Sequence, residues 1–250
     1  MLVTYLCNCT CPFCYFYRSG RTREAKLITP EILAKFAKYV RTRGGTSITF
    51  LGGEPLMLAD ETLLNFIEIV RDAGLKANVE TNGSLLPRHP DGVLEEFDRI
   101  YISLDYFSEK HDKIRGQKIF KKAIHYFQNY DNICFTSVFL GDNFEDIKVM
   151  AQLSLMYEKE YPIKMCKPEL PKGDWKIVHA LFDYIASIIL EYGATYIKVV
   201  DSPSFTCYIA HRLRQTAIKE FKEKTLILSL IHISEPTRPR LISYAVFCLK

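Results

Sequence analysis

Short apolar runs alternate with amphipathic stretches along most of this chain. Residues 2–6 read as a first strand. Thr29-Pro30 opens a helix, with threonine as N-cap and proline at the first helical position. Its apolar face is Ile32, Leu33, Phe36, Ala37 and Val40. Residues 47–51 form a strand. Asp60 is placed to cap a helix with Leu63, Phe66, Ile67 and Val70 on one face and Gly74 as its stop. Residues 76–80 are a strand, 92–97 a short helix and 99–104 a strand. The alternation continues with a helix over 120–127, a β-rich strand over 133–140, a helix over 144–157 and a sixth short strand over 162–166. Residues 175–192 are a strong helix with Trp175, Val178, Leu181, Phe182, Ile185, Ile188 and Ile189 apolar, closed by Gly193. A further strand follows over 196–200. Repeated βα units predict an α/β fold, a parallel sheet with helices outside. Six units fit an open, partial (β/α)6 TIM-like barrel better than a closed (β/α)8 barrel.

Composition adds little to that picture and removes several alternatives. The 250 residues are 48% hydrophobic and 25% charged, ordinary for a globular protein. Net charge is +4 with the basic residues scattered, which is no footprint of a nucleic-acid binder. No run approaches the ~18 apolar residues of a transmembrane helix, and the N-terminus lacks the pattern of a secretory signal. Four of the eight cysteines fall between Cys7 and Cys14. Clustering of that kind reads as metal ligation rather than a disulfide framework, and it places the protein in the reducing cytoplasm. Residues 228–250 resemble translated sequencing-adapter DNA and are set aside as non-native. Without them the net charge falls to +2 and seven cysteines remain. Residues 1–200 are then the expected barrel, and 201–227 the start of a truncated C-terminal extension.

Four segments carry candidate chemistry. Cys7-Asn-Cys-Thr-Cys11-Pro-Phe-Cys14 contains C-x3-C-x2-C, with an aromatic residue, Phe13, before the last cysteine. Three thiolates can serve three irons of a cubane and leave the fourth iron open to another ligand. A structural zinc knot or a reduced thiol cluster is the competing reading. Gly52-Gly53-Glu54-Pro55 follows a predicted strand, and paired glycines let a backbone approach a ligand closely. A plain glycine turn is its bland alternative. Glu80-Thr81-Asn82-Gly83 ends the next strand, where an Asn-Gly turn is common. Ser103-Leu104-Asp105 ends the fourth, followed by His111-Asp112-Lys113-Ile114-Arg115-Gly116. A guanidinium such as Arg115 suits a carboxylate because its planar fork can donate two bonds. All four segments fall at the C-terminal ends of successive predicted strands, where barrel enzymes assemble their sites.

Taken together these residues resemble the radical S-adenosylmethionine (SAM) superfamily over about residues 1–200. The resemblance implies a [4Fe-4S] cluster on Cys7, Cys11 and Cys14, with SAM as second cofactor. It implies that Gly52, Gly53, Glu54 and Pro55 lie against the methionine amino group, with Glu80 and Asn82 near the ribose and methionine groups. Ser103, Asp105 and Arg115 would then bind ribose or carboxylate, with Phe13 also beside the cofactors. Cys9 departs from the pattern; it reads as a spectator, with an alternative ligand as the competing role. An electron from a flavodoxin or ferredoxin would drive cleavage of SAM to methionine and a 5′-deoxyadenosyl radical, which takes hydrogen from the substrate.

The Ser103 and His111–Gly116 segments resemble the SPASM/twitch branch of peptide- and protein-modifying maturases, and less closely the molybdenum-cofactor biosynthesis enzymes. A peptide or protein is therefore the first expectation for the substrate, and small-molecule cofactor biosynthesis the second. Cys207 stands where such relatives carry a first auxiliary-cluster ligand, or is a plain buried cysteine. Cys134 and Cys166 read as packing residues. His89, His125 and His179 read as surface or satisfied histidines, and Tyr15 and Tyr101 as core, with a place lining the SAM pocket as their alternative. A non-catalytic iron–sulfur carrier, or an inactive fragment, is the reading from a different class.

Overall fold

The computed structural model describes residues 1–165 and 175–200, with Trp175 in backbone only. Cys166, Cys207, the expected extension over 201–227 and the adapter-like segment 228–250 lie outside the described residues. The chain divides into two compact units, Met1–Ser137 and Val138–Lys250.

The first unit holds five strands: β1 (Leu2–Thr4), β2 (Ser47–Gly52), β3 (Lys76–Thr81), β4 (Arg99–Ser103) and β5 (Ile133–Phe139), the last running across the boundary. Each pairs in parallel with the next, in chain order. Parallel neighbours need crossovers. These carry α1 (Tyr15–Arg18), α2 (Pro30–Thr42), α3 (Asp60–Asp72), α4 (Asp91–Glu95), α5 (Lys110–Arg115) and α6 (Phe120–Asn129). Strands covered on both faces read as continuous apolar runs. Ala77, Val79, Ile100, Ile102, Ile133 and Phe135 are accordingly fully buried. Phe50 packs edge-on against Phe66 and Phe97, with centroids 6.0 and 6.3 Å away. Phe127 of α6 stacks on Phe135 at 4.0 Å. Because the strands are parallel, the chain leaves each at the same edge, after Thr4, Gly52, Thr81 and Ser103.

In the second unit, α7 (Phe144–Met156), β6 (Tyr161–Met165), α8 (Trp175–Tyr192) and β7 (Ile197–Val200) follow in order. β6 and β7 pair in parallel, Tyr161 opposite Ile197. Leu181, Phe182, Ile185, Ile188 and Ile189 give α8 its buried face. Among the described residues, no helix is long and apolar enough to cross a membrane.

The α/β alternation and parallel pairing meet the expectation from sequence. Several local expectations do not hold. Thr29 does cap α2, accepting the Ile32 N–H at 3.4 Å, but Ile32 itself is 53% exposed, and Leu33 and Ala37 carry the buried face. Asp60 does not cap α3. Ala59 occupies that position, and the Asp60 carboxylate instead meets His89 Nδ1 at 2.5 Å. β1 stops at Thr4 because the next residues turn to hold neighbouring loops: the Tyr5 N–H donates to the Lys26 carbonyl. Tyr15 is 66% exposed rather than packed in the core.

Candidate active site

The cysteine loop leaves β1 and is anchored through its backbone. The Cys7 N–H donates to Thr22 O at 3.2 Å, the Thr10 N–H to Arg115 O at 3.0 Å and the Cys14 N–H to Cys11 O at 3.1 Å. Cys9 and Cys11 are buried, and Cys7 and Cys14 half-buried, all as free thiols. The Cys9 N–H points at Cys7 Sγ, 3.4 Å away. The Cys9 thiol hydrogen-bonds with both Cys7 and Cys11. That bond lowers Cys7 to about 7 against the opposition of burial. It lowers Cys11 as well, with help from the charge of Arg115. Cys9, as the shared donor, is pushed far up. Two neighbouring thiols biased toward thiolate are the donor chemistry that iron prefers. Among the described residues, no three His, Cys, Asp or Glu side chains converge on a single ion; thiolates on separate irons of a cubane do not need to.

The β2 exit presses on that loop. The Gly53 N–H donates to Thr4 O at 2.8 Å and the Glu54 N–H to Leu6 O at 2.6 Å. A Cβ on Gly53 would stand 2.0 Å from Leu6 O and 2.4 Å from Tyr5 O. Gly52 adopts φ 141°, and a Cβ there would sit 2.2 Å from Thr4 O. The double glycine is thus required by backbone contact with β1 and the residues after it. The Gly53 and Glu54 N–H groups are thus both used inside the protein.

Glu54 is fully buried, and the protein itself occupies its carboxylate. Oε1 accepts from the Leu56 N–H at 2.9 Å and from Thr81 Oγ1 at 2.7 Å. Oε2 accepts from the Asn82 N–H at 2.6 Å. Burial raises this carboxyl to about 7, and the three donors pull the other way. The side chain therefore clamps the β2 exit to the β3 exit. Pro55, also buried, starts the short turn Pro55–Met57 behind it.

At the β3 exit Asn82 is buried. Its Oδ1 accepts the Ser84 N–H at 2.8 Å and its Nδ2 donates to Asn8 Oδ1 at 2.8 Å. Glu80 lies half-buried in β3, and Ser103 half-buried at the end of β4. After β4, Asp105 is fully buried. Its Oδ2 accepts from Arg115 Nε at 2.9 Å and from an Arg115 terminal nitrogen at 2.7 Å. Burial works against the Arg115 charge, but Asp105 and Cys11 outweigh it and hold the guanidinium protonated. The guanidinium lies 5.7 Å from the centre of the Phe13 ring. His111 is buried, with Nδ1 accepting the Asp105 N–H at 3.1 Å. Burial, with Arg115 nearby, lowers it to about 4, so it is neutral.

The structure thus brings Cys7, Cys9, Cys11, Phe13, Gly53, Glu54, Asn82, Asp105 and Arg115 into one connected set at the strand edge. Reasoning from sequence missed Asn8, Ser84 and Gln117. Asn8 passes as spacer inside a cysteine motif, and no local pattern announces partners more than 70 positions away. His89 is buried and bonded at both nitrogens, to Asp60 and to Leu56 O, whereas His125 is exposed.

The chain is similar to known proteins in sequence and in fold. The family model described as the Radical SAM superfamily matches residues 1–154. Fe-coproporphyrin III synthase of Methanosarcina barkeri is 34% identical over 121 residues, 46% of this chain and 29% of that protein. A probable GTP 3′,8-cyclase of Methanocella arvoryzae is 33% identical over 105 residues, 41% of this chain and 32% of the relative. The chain therefore spans well under half of the length of these relatives. Streptococcus suis SuiB, solved with S-adenosylmethionine and also with its precursor peptide SuiA, shares the fold. In its S-adenosylmethionine complex the TM-score is 0.63 at 15% identity, covering 82% of this chain and 51% of SuiB.

Proposed function

The chain belongs to the radical SAM superfamily, whose members use a [4Fe-4S] cluster and SAM, and we propose that it abstracts hydrogen from a peptide or protein substrate. Cys7, Cys11 and Cys14 hold the cluster in this reading. The observation that carries it is the thiol group at the strand edge, two of whose members are already biased toward thiolate by Cys9 and Arg115. When bound, the cluster supplies the electron for reductive cleavage of SAM.

The chain's own residues do the positioning. The carbonyls of Gly52 and Gly53 would be the groups offered to the ammonium, since the N–H groups of Gly53 and Glu54 are used within the protein. Glu54 acts one step back from the ligand, fixing the β2 and β3 exits against each other. Asn82, Ser103 and Glu80 supply polar groups along the same edge. Asp105 holds Arg115 with both bonds on one carboxylate oxygen, which aims the guanidinium and leaves its remaining N–H groups for an anionic group. Phe13 covers the Arg115 face.

An electron donor must approach the cysteine loop closely. The residues directly after Cys14 expose Arg18, Arg21, Arg23 and Lys26, with Glu24 against Lys26 at 3.5 Å. This cationic surface suits an acidic carrier such as a flavodoxin or ferredoxin, and an oxygen-sensitive centre suits the reducing cytoplasm.

SuiB, solved with a precursor peptide, supports the peptide reading through fold alone. The sequence relatives support a second reading, small-molecule cofactor biosynthesis. The test is anaerobic reconstitution with iron and sulfide, then dithionite and SAM, with 5′-deoxyadenosine quantified. Product that vanishes in Cys14→Ala supports the chemistry; stimulation by a peptide rather than by GTP separates the two substrates. A bound cluster with no SAM cleavage would reject this chemistry for the chain, and SAM binding would then separate an inactive chain from an iron–sulfur carrier.

A further inference from the structure

Asn8 stands between Cys7 and Cys9, yet its side chain bonds to nothing in its own loop. The Ser84 N–H can only donate, and it meets Asn82 Oδ1 at 2.8 Å. The Asn82 amide is thereby oriented with Nδ2 toward Asn8, again at 2.8 Å. The Asn8 atom receiving that bond has to be the oxygen. Its own Nδ2 then faces Ser84 Oγ at 2.8 Å. One backbone N–H so fixes two amides and a hydroxyl in a closed ring, Asn8–Asn82–Ser84. On its other side the Asn8 carbonyl accepts from Gln117 Nε2 at 2.8 Å. One residue of the cysteine loop is therefore tied at once to the β3 exit and to the segment after α5.

We propose that Asn8 is a positioning residue: it sets the separation between the cysteine loop and the β3 exit, so that SAM bound along the strand edge meets the cluster in one geometry. This rests on the cofactor reading above. The loop does not need the Asn8 side chain to stay folded, because the Cys7 and Thr10 N–H groups anchor it to Thr22 O and Arg115 O. Losing the side chain should therefore uncouple the two halves of the site while leaving each in place.

The experiment compares wild type, Asn8→Ala, Asn8→Asp and Ser84→Ala after anaerobic reconstitution. Iron and sulfide content are measured first; the reduced cluster is then titrated with SAM and followed by electron paramagnetic resonance. Asn8→Ala should take up wild-type iron but need about tenfold more SAM to change the spectrum, the size expected for losing such a bond. Ser84→Ala, which opens the ring and spares Asn82, should need about threefold more. Asn8→Asp should recover the wild-type titration, because its carboxylate accepts from Asn82 and the Ser84 hydroxyl can rotate to donate. A wild-type titration in Asn8→Ala overturns the proposal. Should that variant fail to fold, a wild-type titration in Ser84→Ala overturns it instead. Wild-type protein that binds iron yet shows no spectral change with SAM would reject the cofactor reading, and this inference with it.

Discussion

The two walls of the site are built differently. The β2 and β3 exits form a finished wall: each Glu54 oxygen has its donors, Thr81 and Asn82 are buried, and backbone contact at Gly53 leaves no room for a side chain. The cysteine wall is provisional. Its backbone is anchored, but its thiols bond to each other, and Cys7 and Cys11 draw on a single proton donor, Cys9. A proton in that place can yield to iron without disturbing the wall opposite. The contrast predicts that damage to the finished wall costs stability, whereas damage at Cys9 changes the chemistry of the thiols.

The largest effect is expected at Gly53. A methyl group there would overlap two backbone oxygens, Leu6 O and Tyr5 O, and neither is the end of a flexible side chain. Gly53→Ala should lose about 5 kcal/mol, the upper end for a single residue, and so lower the urea midpoint of the cluster-free chain sharply. A variant with the wild-type midpoint would show that the β1 exit yields, and the contrast between the walls would go. Next comes Arg115→Leu, which takes the guanidinium away from the fully buried Asp105 carboxyl. Removing one member of such a pair costs about 4 kcal/mol. The same urea measurement should show that loss recovered in large part by Arg115→Leu combined with Asp105→Leu. Failure of the double variant to recover would mean that Arg115 serves packing rather than charge.

Protonation gives a smaller and more diagnostic effect, because two buried groups oppose each other. Glu54 titrates at about 7 when folded, above its ordinary 4.5. The native state then binds more protons between those values, so this group makes stability fall as pH rises through the window. His111 titrates at about 4 when folded, below its ordinary 6.5. Its contribution is complete above 6.5 and is lost as pH falls toward 4. The two slopes have opposite sign over most of the same range, so the wild type should be nearly flat. Glu54→Gln should uncover the His111 slope, stability rising with pH, and His111→Leu should uncover the Glu54 slope, stability falling. Each slope should approach about 1 kcal/mol per pH unit, read from urea midpoints between about pH 4 and 7. Each variant also carries a constant loss. Glu54→Gln puts an amide nitrogen where a carboxylate oxygen accepted, and His111→Leu leaves the Asp105 N–H without its acceptor.

Much of the finished wall's position was legible in the sequence, and little of its function. Short apolar runs between period-3.6 helices located the strands of the first unit to within a residue or two, because buried parallel strands and one-sided helices leave strong apolar signals at Val79, Ile100, Leu63 and Phe66. Cysteine spacing and double glycine are local patterns, and they sit where expected, at the strand edge. Glu54 was legible as a site residue but not as a clamp, because its partners Thr81 and Asn82 come from a different βα unit. Asn8 was invisible for the same reason. Asp60 has the chemistry of a helix cap and the sequence position for one, yet buried His89 competes for its carboxylate and Ala59 takes the place.

The smallest structural effect is expected at Cys9, and it is the sharpest test of the provisional wall. Its side chain is 4% exposed, so Cys9→Ala removes one buried sulfur, at a cost of about 1 kcal/mol. The thiols should respond more than the fold. In the cluster-free chain Cys7 sits near 7 chiefly because the Cys9 thiol bonds to it. Without that donor, burial is opposed only by the Cys9 backbone N–H and the Arg115 charge, and Cys7 moves up toward its ordinary 9.0. The pH midpoint of Cys7 alkylation, followed by peptide mass spectrometry, should therefore shift upward. Reconstituted iron should remain at the wild-type level, because the bound metal replaces the proton that Cys9 supplied. Cys11→Ala, run beside it, should abolish iron uptake. If Cys9→Ala lost its iron while keeping its urea midpoint, Cys9 would be a ligand and the assignment of Cys7, Cys11 and Cys14 would need revision. If instead the alkylation midpoint stayed at about 7 with iron retained, the Cys9 backbone N–H and the Arg115 charge, and not the shared thiol proton, would have to hold Cys7 low.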